Sequence, residues 1–169
     1  MKPALVSLPA LCAERLGREL AARIVGAGAT SLLDEPLLGL IASRECPGQV
    51  LLETLERVPE WVKAGRVIVS GFHSPLEQQV LRSALRRQGR LVKVLARGMT
   101  RYTPPPEESE AMAAGRLLVI TASPADVRRT TRESALQRNK LVIELSTEMV
   151  VPYVAEGSPL AALLAAKKQ

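Results

Sequence analysis

The sequence predicts an α/β domain, a three-layer sandwich in which helices cover a mainly parallel sheet of five or six strands. Short apolar runs alternate with amphipathic stretches, which is typical of such folds. Each apolar run also stops at a short polar motif. The predicted strands are Leu37–Ala42, Arg66–Val69, Leu91–Leu95, Arg116–Ile120 and Leu141–Leu145, with Met149–Val154 as a short sixth. Ligands of parallel sheets bind beyond the carboxyl ends of the strands, so we expect the polar motifs to line one site.

The helices are predicted between these strands. The clearest signal is Ser74-Pro75-Leu76-Glu77, which places serine at an N-cap, proline at the first helical position and glutamate at the third. A similar signal at Ser123-Pro124-Ala125-Asp126 predicts a helix that ends near Gln137. The remaining helices are predicted at Pro9–Val25, at Gln49–Lys63 with an interruption at Pro59, at Glu110–Ala114, and from Ser158-Pro159 to Lys168. Residues Arg101–Ser109 hold three consecutive prolines and are expected to form a loop, either a lid over the site or an inert connection.

Composition indicates one globular domain over residues 1–169, with residues 1–33 as a helical extension packed on it. The chain is 47 % hydrophobic and has no apolar run near the ~18 residues that a membrane span requires. It also lacks the pattern of a signal peptide, so a cytoplasmic location is expected. Cys12 and Cys46 are too few for a disulfide framework or a zinc site. We therefore expect no metal and no cofactor.

The net charge of +6 favours an anionic partner. No acidic residue occurs from Gln78 to Pro106, a stretch that holds seven basic residues. A second basic group follows later in the chain. These basic residues are Arg82, Arg86, Arg87, Arg90, Lys93, Arg97 and Arg101, followed by Arg128, Arg129, Arg132, Arg138 and Lys140. The two groups are either a solvated basic face or part of an anion site.

Three strand ends carry residues suited to phosphate. Ser70-Gly71, with the Ser74 cap, would present backbone N–H groups at a helix start. Arg44 and Arg97 directly follow the first and third strands, and the planar guanidinium group suits bidentate phosphate contacts. Arginine can also stack on a base.

Three further candidates have two interpretations each. Phe72 would either stack on a base at the crevice or belong to the core beneath the turn. His73 would either serve the site, by contacting phosphate or by acting as an acid–base group, or be a surface residue. Arg138-Asn139-Lys140 precedes the predicted fifth strand and is expected near the opposite rim, unless the helix end folds over the crevice.

The residues at these positions resemble the Rossmann-type core of the DprA/Smf DNA-processing family. Ala42-Ser43-Arg44 is similar to the family's Gly-Ser-Arg, and Val69-Ser70-Gly71 to its Val-Ser-Gly. The helix that follows stays in register, with Glu77, Arg82, Ala84 and Leu85 at matching positions. The remaining matches are Val94–Gly98, Arg138–Val142 and Leu145-Ser146. The likeness spans roughly residues 37–146.

The resemblance implies a Rossmann-like fold that binds single-stranded DNA in a basic pocket at the strand ends and assists its handover to a recombinase, often as a homodimer. By position, the pocket would use Ser43, Arg44, Ser70, Gly71, Arg138, Asn139 and Lys140. From the residues themselves, we add Phe72, His73 and Arg97 as candidates.

Two other functions stay open. A nucleotide or another small phosphorylated ligand would fit the same turn and capped helix. An enzyme that cleaves a nucleotide's glycosidic bond is disfavoured, because the chain lacks the Pro-Gly-Gly turn of related Rossmann-like hydrolases. The absence of a Walker loop likewise disfavours NTP hydrolysis. The sequence therefore favours a non-catalytic binding protein.

Overall fold

A computed structural model describes residues 2–167 of the chain. The strands are β1 (Ala4–Leu5), β2 (Val25–Gly28), β3 (Leu37–Leu40), β4 (Val67–Ser70), β5 (Arg90–Leu95), β6 (Leu117–Thr121) and β7 (Glu148–Val150). The α-helices are α1 (Ala10–Leu16), α2 (Arg18–Ala22), α3 (Gly48–Lys63), α4 (Pro75–Arg86), α5 (Pro106–Ala113), α6 (Arg132–Leu145) and α7 (Pro159–Lys167), and Thr30–Asp34 forms a 3-10 helix. The predicted end of the last helix at Lys168 lies outside the described residues.

The strands form one sheet in the order β1-β2-β6-β5-β4-β3-β7. From β6 to β7 all neighbouring strands are parallel, whereas β2 is antiparallel to β6 and β1 is antiparallel to β2. Two apolar cores lie on opposite faces of the sheet, one beneath α3, α4 and α5 and the other beneath α1, α6 and α7. The predicted α/β fold class, with a mainly parallel sheet between two helical layers, is confirmed. The sheet has seven strands instead of the predicted five or six, because β1 and β2 of the N-terminal region extend it.

The apolar runs of the sequence are continuous because the central strands are buried on both faces. In β6, Leu117 and Val119 belong to one core, while Leu118 and Ile120 belong to the other. All four side chains are fully buried. The pleat therefore divides one apolar run between two helical layers.

The run Leu141–Leu145 is helical, so the prediction of a strand there is wrong. It forms the second half of α6, and Leu141, Val142 and Ile143 are buried against the sheet. A short apolar run does not by itself distinguish a buried strand from a buried helix. The parallel strand expected from this run is instead β7, which overlaps the predicted segment Met149–Val154 but begins one residue earlier.

The start of this helix also differs from the prediction. Ser123-Pro124 caps no helix, and α6 begins only at Arg132. Thr131 is its N-cap: the Thr131 hydroxyl accepts a hydrogen bond from Ser134 N at 3.1 Å, and Ser134 Oγ accepts one from Thr131 N at 2.8 Å. The sequence did not predict this capping box, because its third helical position holds serine instead of the usual glutamate.

The N-terminal prediction of one helix over Pro9–Val25 is wrong as well. The helix is broken at Gly17, where φ is 94°, a value that favours glycine. Gly26, the residue directly after that predicted helix, belongs to β2. A Cβ atom there would lie 2.7 Å from Ile120 Cγ2 and 2.8 Å from Val119 O, so only glycine allows β2 to approach β6 this closely.

Two smaller predictions differ from the structure. Pro59 does not interrupt α3, which is continuous from Gly48 to Lys63. Its neighbours Val58 and Trp61 are buried in the core, and this tertiary packing holds the helix in place. The predicted loop Arg101–Ser109 ends early, because Pro106 begins α5 at a position where proline is tolerated.

Within residues 2–167, none of the helices combines the length and the apolar character that crossing a membrane would need.

Replacing a leucine of the sheet core should destabilise the fold far more than replacing an exposed one. Leu118 is fully buried, whereas Leu52 on α3 is 63 % exposed. We expect Leu118→Ala to lower the free energy of unfolding by about 2–5 kcal/mol, because it removes buried methyl groups and leaves a cavity. Leu52→Ala should change it by no more than about 0.5 kcal/mol in the same urea titration. Equal effects of the two variants would contradict the placement of β6.

Candidate functional site

The turn after β3 is joined to the C-terminal segment of the chain. Ser43 N donates a hydrogen bond to Tyr153 O at 2.8 Å, and Ser43 Oγ accepts one from Ala155 N at 2.8 Å. The Ser43 hydroxyl therefore holds two segments together, while the neighbouring Arg44 side chain is exposed. The segment after β7 is thereby brought to the carboxyl end of the sheet.

The turn after β4 is tight and buried. Ser70 Oγ accepts a hydrogen bond from Phe72 N at 3.0 Å, and Ser70 is fully buried. Phe72 has a φ of 47°, in the left-handed region that a bulky side chain rarely adopts. Its ring is only 4 % exposed and packs in the core, as in the second of the two interpretations above.

One carboxylate connects the ends of β3 and β4. Glu77 Oε2 accepts a hydrogen bond from Ala42 N at 2.9 Å, beyond β3. Glu77 Oε1 accepts from His73 N at 3.0 Å and from Ser74 N at 3.3 Å, beyond β4. Ser74 Oγ in turn accepts from Glu77 N, which completes the predicted capping box. The buried carboxylate is thus balanced by backbone N–H donors of two turns.

Arg138 of α6 lies against Gly71. A Cβ atom on Gly71 would stand 2.5 Å from both Cδ and Nε of Arg138, so this approach requires glycine. The Arg138 side chain is buried, and its Nε donates to Asn139 Oδ1 at 3.2 Å. Because α6 is helical through Arg138, this residue lies over the carboxyl ends of the strands. This is the second of the two positions that the sequence had left open.

The guanidinium group of Arg138 has no carboxylate partner in the part of the chain that the structure describes, since none of the ion pairs there includes it. Burial lowers the pKa of Arg138, and the charge of Glu77 opposes this effect. Arginine nevertheless stays protonated at neutral pH. The site therefore contains a buried, unpaired positive charge.

Arg44 and Arg138 line the same cavity, of about 410 Å³. Arg132 is a third cation on its wall, and His73 and Asn139 are polar neighbours. Much of the remaining wall is apolar and consists of Ala42, Ala135, Leu136, Pro159 and Leu160. We call this space the Arg138 pocket. Its lining comes from the turns after β3 and β4, from α6 and from the start of α7.

A smaller cavity of about 140 Å³ lies beside the Arg138 pocket and shares His73 and Arg138 with it. We call it the Arg97 cleft. Arg97 follows β5, and its Cζ atom lies 5.7 Å from the centroid of the Tyr102 ring, within cation–π range. Gly71 and Phe72 also line this cleft.

The hydroxyl group of Tyr102 belongs to a buried hydrogen-bond network. Lys93 Nζ lies 3.0 Å from the Tyr102 hydroxyl and 3.0 Å from Glu108 Oε2, and the Tyr102 hydroxyl donates to Glu108 Oε1. Burial, followed by this hydrogen bond, raises the pKa of Tyr102 far above its ordinary value. The network fixes the ring beneath the Arg97 guanidinium group.

The sequence-predicted residues fall into three groups. Ser43, Arg44, His73, Arg138 and Asn139 line the Arg138 pocket, and Gly71, Phe72 and Arg97 line the Arg97 cleft. Ser70 is buried beneath the turn, and Lys140 is exposed and lines neither cavity.

Sequence reasoning missed Arg132, Leu136 and Leu160 as lining residues. Arg132, Leu136 and Asn139 are spaced by four and three residues, which places them on one helical face. That spacing could have identified Arg132 and Leu136, had the helix been extended past Gln137. Leu160 enters the pocket only through the return of the C-terminal segment, and no local pattern indicates that return.

His73 is charged less readily than a free histidine. Burial is the largest cause that lowers the pKa of its imidazole below 6.5, and the Arg138 and Arg44 charges add to it, while Glu77 acts in the opposite direction. The free protein therefore holds His73 neutral at neutral pH. Among residues 2–167, no three His, Cys, Asp or Glu side chains are grouped so that they could hold a metal ion.

Removing the negative charge of Glu77 should weaken the framework of the site. The amide of Glu77→Gln has a single acceptor oxygen for the N–H groups of Ala42, His73 and Ser74, so at least one buried donor is left unpaired. We expect the free energy of unfolding to fall by about 1–3 kcal/mol in a urea titration. Glu56→Gln on the exposed face of α3 serves as the matched control and should change it little. Equal stability of the two variants would show that Glu77 does not hold the turns together.

The comparisons with known proteins identify relatives of this architecture. The family model described as DNA recombination-mediator protein A matches residues 9–168. The structure of DNA processing protein A from Streptococcus pneumoniae is similar, with a TM-score of 0.70 and 20 % identity over 88 % of this chain. A structure of DNA processing protein A from Helicobacter pylori has a TM-score of 0.67 and 23 % identity over 86 % of this chain. No curated protein matches by sequence.

The chain spans only part of these relatives. The match covers 53 % of the Streptococcus pneumoniae protein and 68 % of the Helicobacter pylori protein. The likeness to these two structures shows a shared fold.

Proposed function

Since the chain belongs to the DNA recombination-mediator protein A family, we propose that it binds single-stranded DNA at the Arg138 pocket. The Helicobacter pylori relative is described as binding single-stranded DNA. A basic chain with a cationic pocket at the carboxyl ends of parallel strands suits such a ligand. DNA processing is the role that the family membership supports.

The observation that carries this proposal is the unpaired charge of Arg138. A buried cation without a partner is costly, and such a group in a cavity is a candidate for binding a ligand that supplies the counter-charge. The Arg138 guanidinium group lines both the pocket and the cleft, so a phosphate in either space can reach it. Arg44 and Arg132 add charge at the pocket wall.

The apolar wall suits a nucleobase. Leu136 and Leu160 offer packing surface for a base whose phosphates lie at the arginines. Phe72 is buried, so a base that stacks on protein would use a guanidinium plane of Arg44 or Arg132. A pocket that combines a base-packing wall with cations favours nucleotides over simple anions.

We assign the pocket a binding role without catalysis. Within the described residues, the His73 ring makes no hydrogen bond to a carboxylate or a nucleophile, although acid–base work would require such a partner. The homodimer and the handover of DNA to a recombinase stay predictions that follow from the family resemblance, and the cytoplasmic location stays a prediction from the sequence. The alternative ligand is a small phosphorylated molecule. If a nucleoside monophosphate failed to displace a bound oligomer, that result would count against this alternative.

Replacing Arg138 should weaken DNA binding without lowering the free energy of unfolding. We expect Arg138→Met to weaken the binding of a fluorescent single-stranded oligomer at least about tenfold at low salt, because the counter-charge for the phosphate is lost. The free energy of unfolding should not fall, because a buried charge without an ion-pair partner is removed. Fluorescence anisotropy and urea denaturation measure the two effects.

Arg87→Met is the control for this test, since Arg87 is exposed at the end of α4 and lines neither cavity. Arg44→Ala should weaken binding without unfolding the domain, because Arg44 is exposed at the pocket wall. If Arg138→Met unfolded the protein while Arg44→Ala left binding unchanged, the pocket would have a structural role and the proposal would fail.

Binding should strengthen as the pH falls, through His73. Its pKa is lowered in the free protein, and a phosphate beside it would raise that pKa again, so DNA binding takes up a proton. Between about pH 8 and about pH 5, we expect the affinity of the native protein to rise severalfold. The affinity of His73→Gln should change less over the same range in the same titrations. Identical pH profiles would exclude a contact between His73 and phosphate.

A further inference from the structure

A third cavity, of about 670 Å³, lies between α4 and α5 and is larger than the Arg138 pocket. Its walls include Gln78, Arg82 and Arg86 from α4, and Glu107 and Glu108 from the start of α5. We call it the α4–α5 groove.

The three cavities are neighbours that share lining residues. The Arg138 pocket and the Arg97 cleft share His73 and Arg138, and the Arg97 cleft and the α4–α5 groove share Phe72 and Lys93. The buried ring of Phe72 therefore forms the floor between the cleft and the groove. A ligand that extends beyond the pocket across the ends of β4 and β5 is led into the groove.

The charges of the groove suit a phosphate chain. Lys93 and Glu108 lie 3.0 Å apart and offset each other. Arg82 and Arg86 have no ion-pair partner among residues 2–167, so their charges are free. They lie four residues apart on α4, about 6 Å along the helix axis, and so present two cations in a row on one face. Glu107 is the one carboxylate on the groove wall without a cationic partner in the described chain.

We propose, resting on the function proposed above, that the α4–α5 groove binds the nucleotides next to the one held in the Arg138 pocket, with Arg82 and Arg86 contacting their phosphates. A mononucleotide occupies one cavity and leaves these two arginines unused. The ligand is therefore a polymer whose strand runs from α6 across the β4 and β5 ends to α4. The negative charge of Glu107 repels the phosphates of this strand and lowers the affinity.

The test compares a long and a short ligand. A single-stranded oligomer of about 20 nucleotides reaches all three cavities, whereas a dinucleotide, titrated to millimolar concentration, reaches the pocket and the cleft only. The variant Arg82→Ala/Arg86→Ala removes two charges from the groove. The control Arg18→Ala/Lys63→Ala removes two charges from exposed positions that line none of the three cavities.

We expect the groove variant to bind the long oligomer about tenfold more weakly than the control at low salt, with a salt slope smaller by about 1.4, because two phosphate contacts are lost. Dinucleotide binding should be unchanged in both variants. Glu107→Gln should strengthen binding of the long oligomer and leave dinucleotide binding unaltered. Thermal unfolding of each variant checks that the fold is retained.

The outcomes separate the two proposals. If the native protein binds neither ligand, the proposed function fails and the groove proposal fails with it. If the native protein binds the long oligomer and Arg138→Met abolishes that binding, the proposed function holds. Equal affinities of the groove variant and its control for the long oligomer would then overturn the groove proposal alone, as would an equal loss for both ligands.

Discussion

The close approach of Arg138 to Gly71 is the contact on which the site depends. The guanidinium group can lie over the ends of the strands only because residue 71 has no side chain and because α6 crosses that face of the sheet. Any Cβ at residue 71 would push Arg138 away from the turn. The pocket and the cleft would then lose the cation that they share.

The two buried charges of the site, on Glu77 and Arg138, have different hydrogen-bond partners. The Glu77 carboxylate accepts hydrogen bonds from backbone N–H groups on both sides and so belongs to the scaffold. The guanidinium group of Arg138 has one hydrogen bond, to the neighbouring Asn139, and no carboxylate partner in the described chain. The negative charge is thus neutralised within the protein, while the positive charge faces the cavities. Because low dielectric strengthens electrostatic interactions, such an arrangement attracts an anion strongly and repels a cation.

How much of the structure could be predicted from the sequence depends on how far apart in the chain the residues that determine each feature lie. The capping box at Ser74 and Glu77 and the strands β3 to β6 were predicted because their signals are local. The helix α6 was not predicted in full, because its buried apolar end is indistinguishable from a strand by periodicity. That error misplaced Arg138, whose contact with Gly71 connects residues far apart in the chain. Leu160 was missed for the same reason, since long-range packing alone brings α7 to the pocket.

Each strand-end turn of the site is held by a hydrogen-bonding group that lies outside the turn. Tyr153 O accepts from Ser43 N after β3, Glu77 accepts from the turn after β4, and Thr121 Oγ1 donates to Arg97 O at 2.7 Å after β5. Turns fixed in this way lose little conformational freedom when a ligand binds, so more of the contact energy appears as affinity. The exposed arginines of α4 are held only by their helix and must be ordered by the ligand, which costs side-chain entropy. On the function proposed above, we therefore expect a bound strand to be anchored at the Arg138 pocket, with the α4–α5 groove extending that contact instead of starting it.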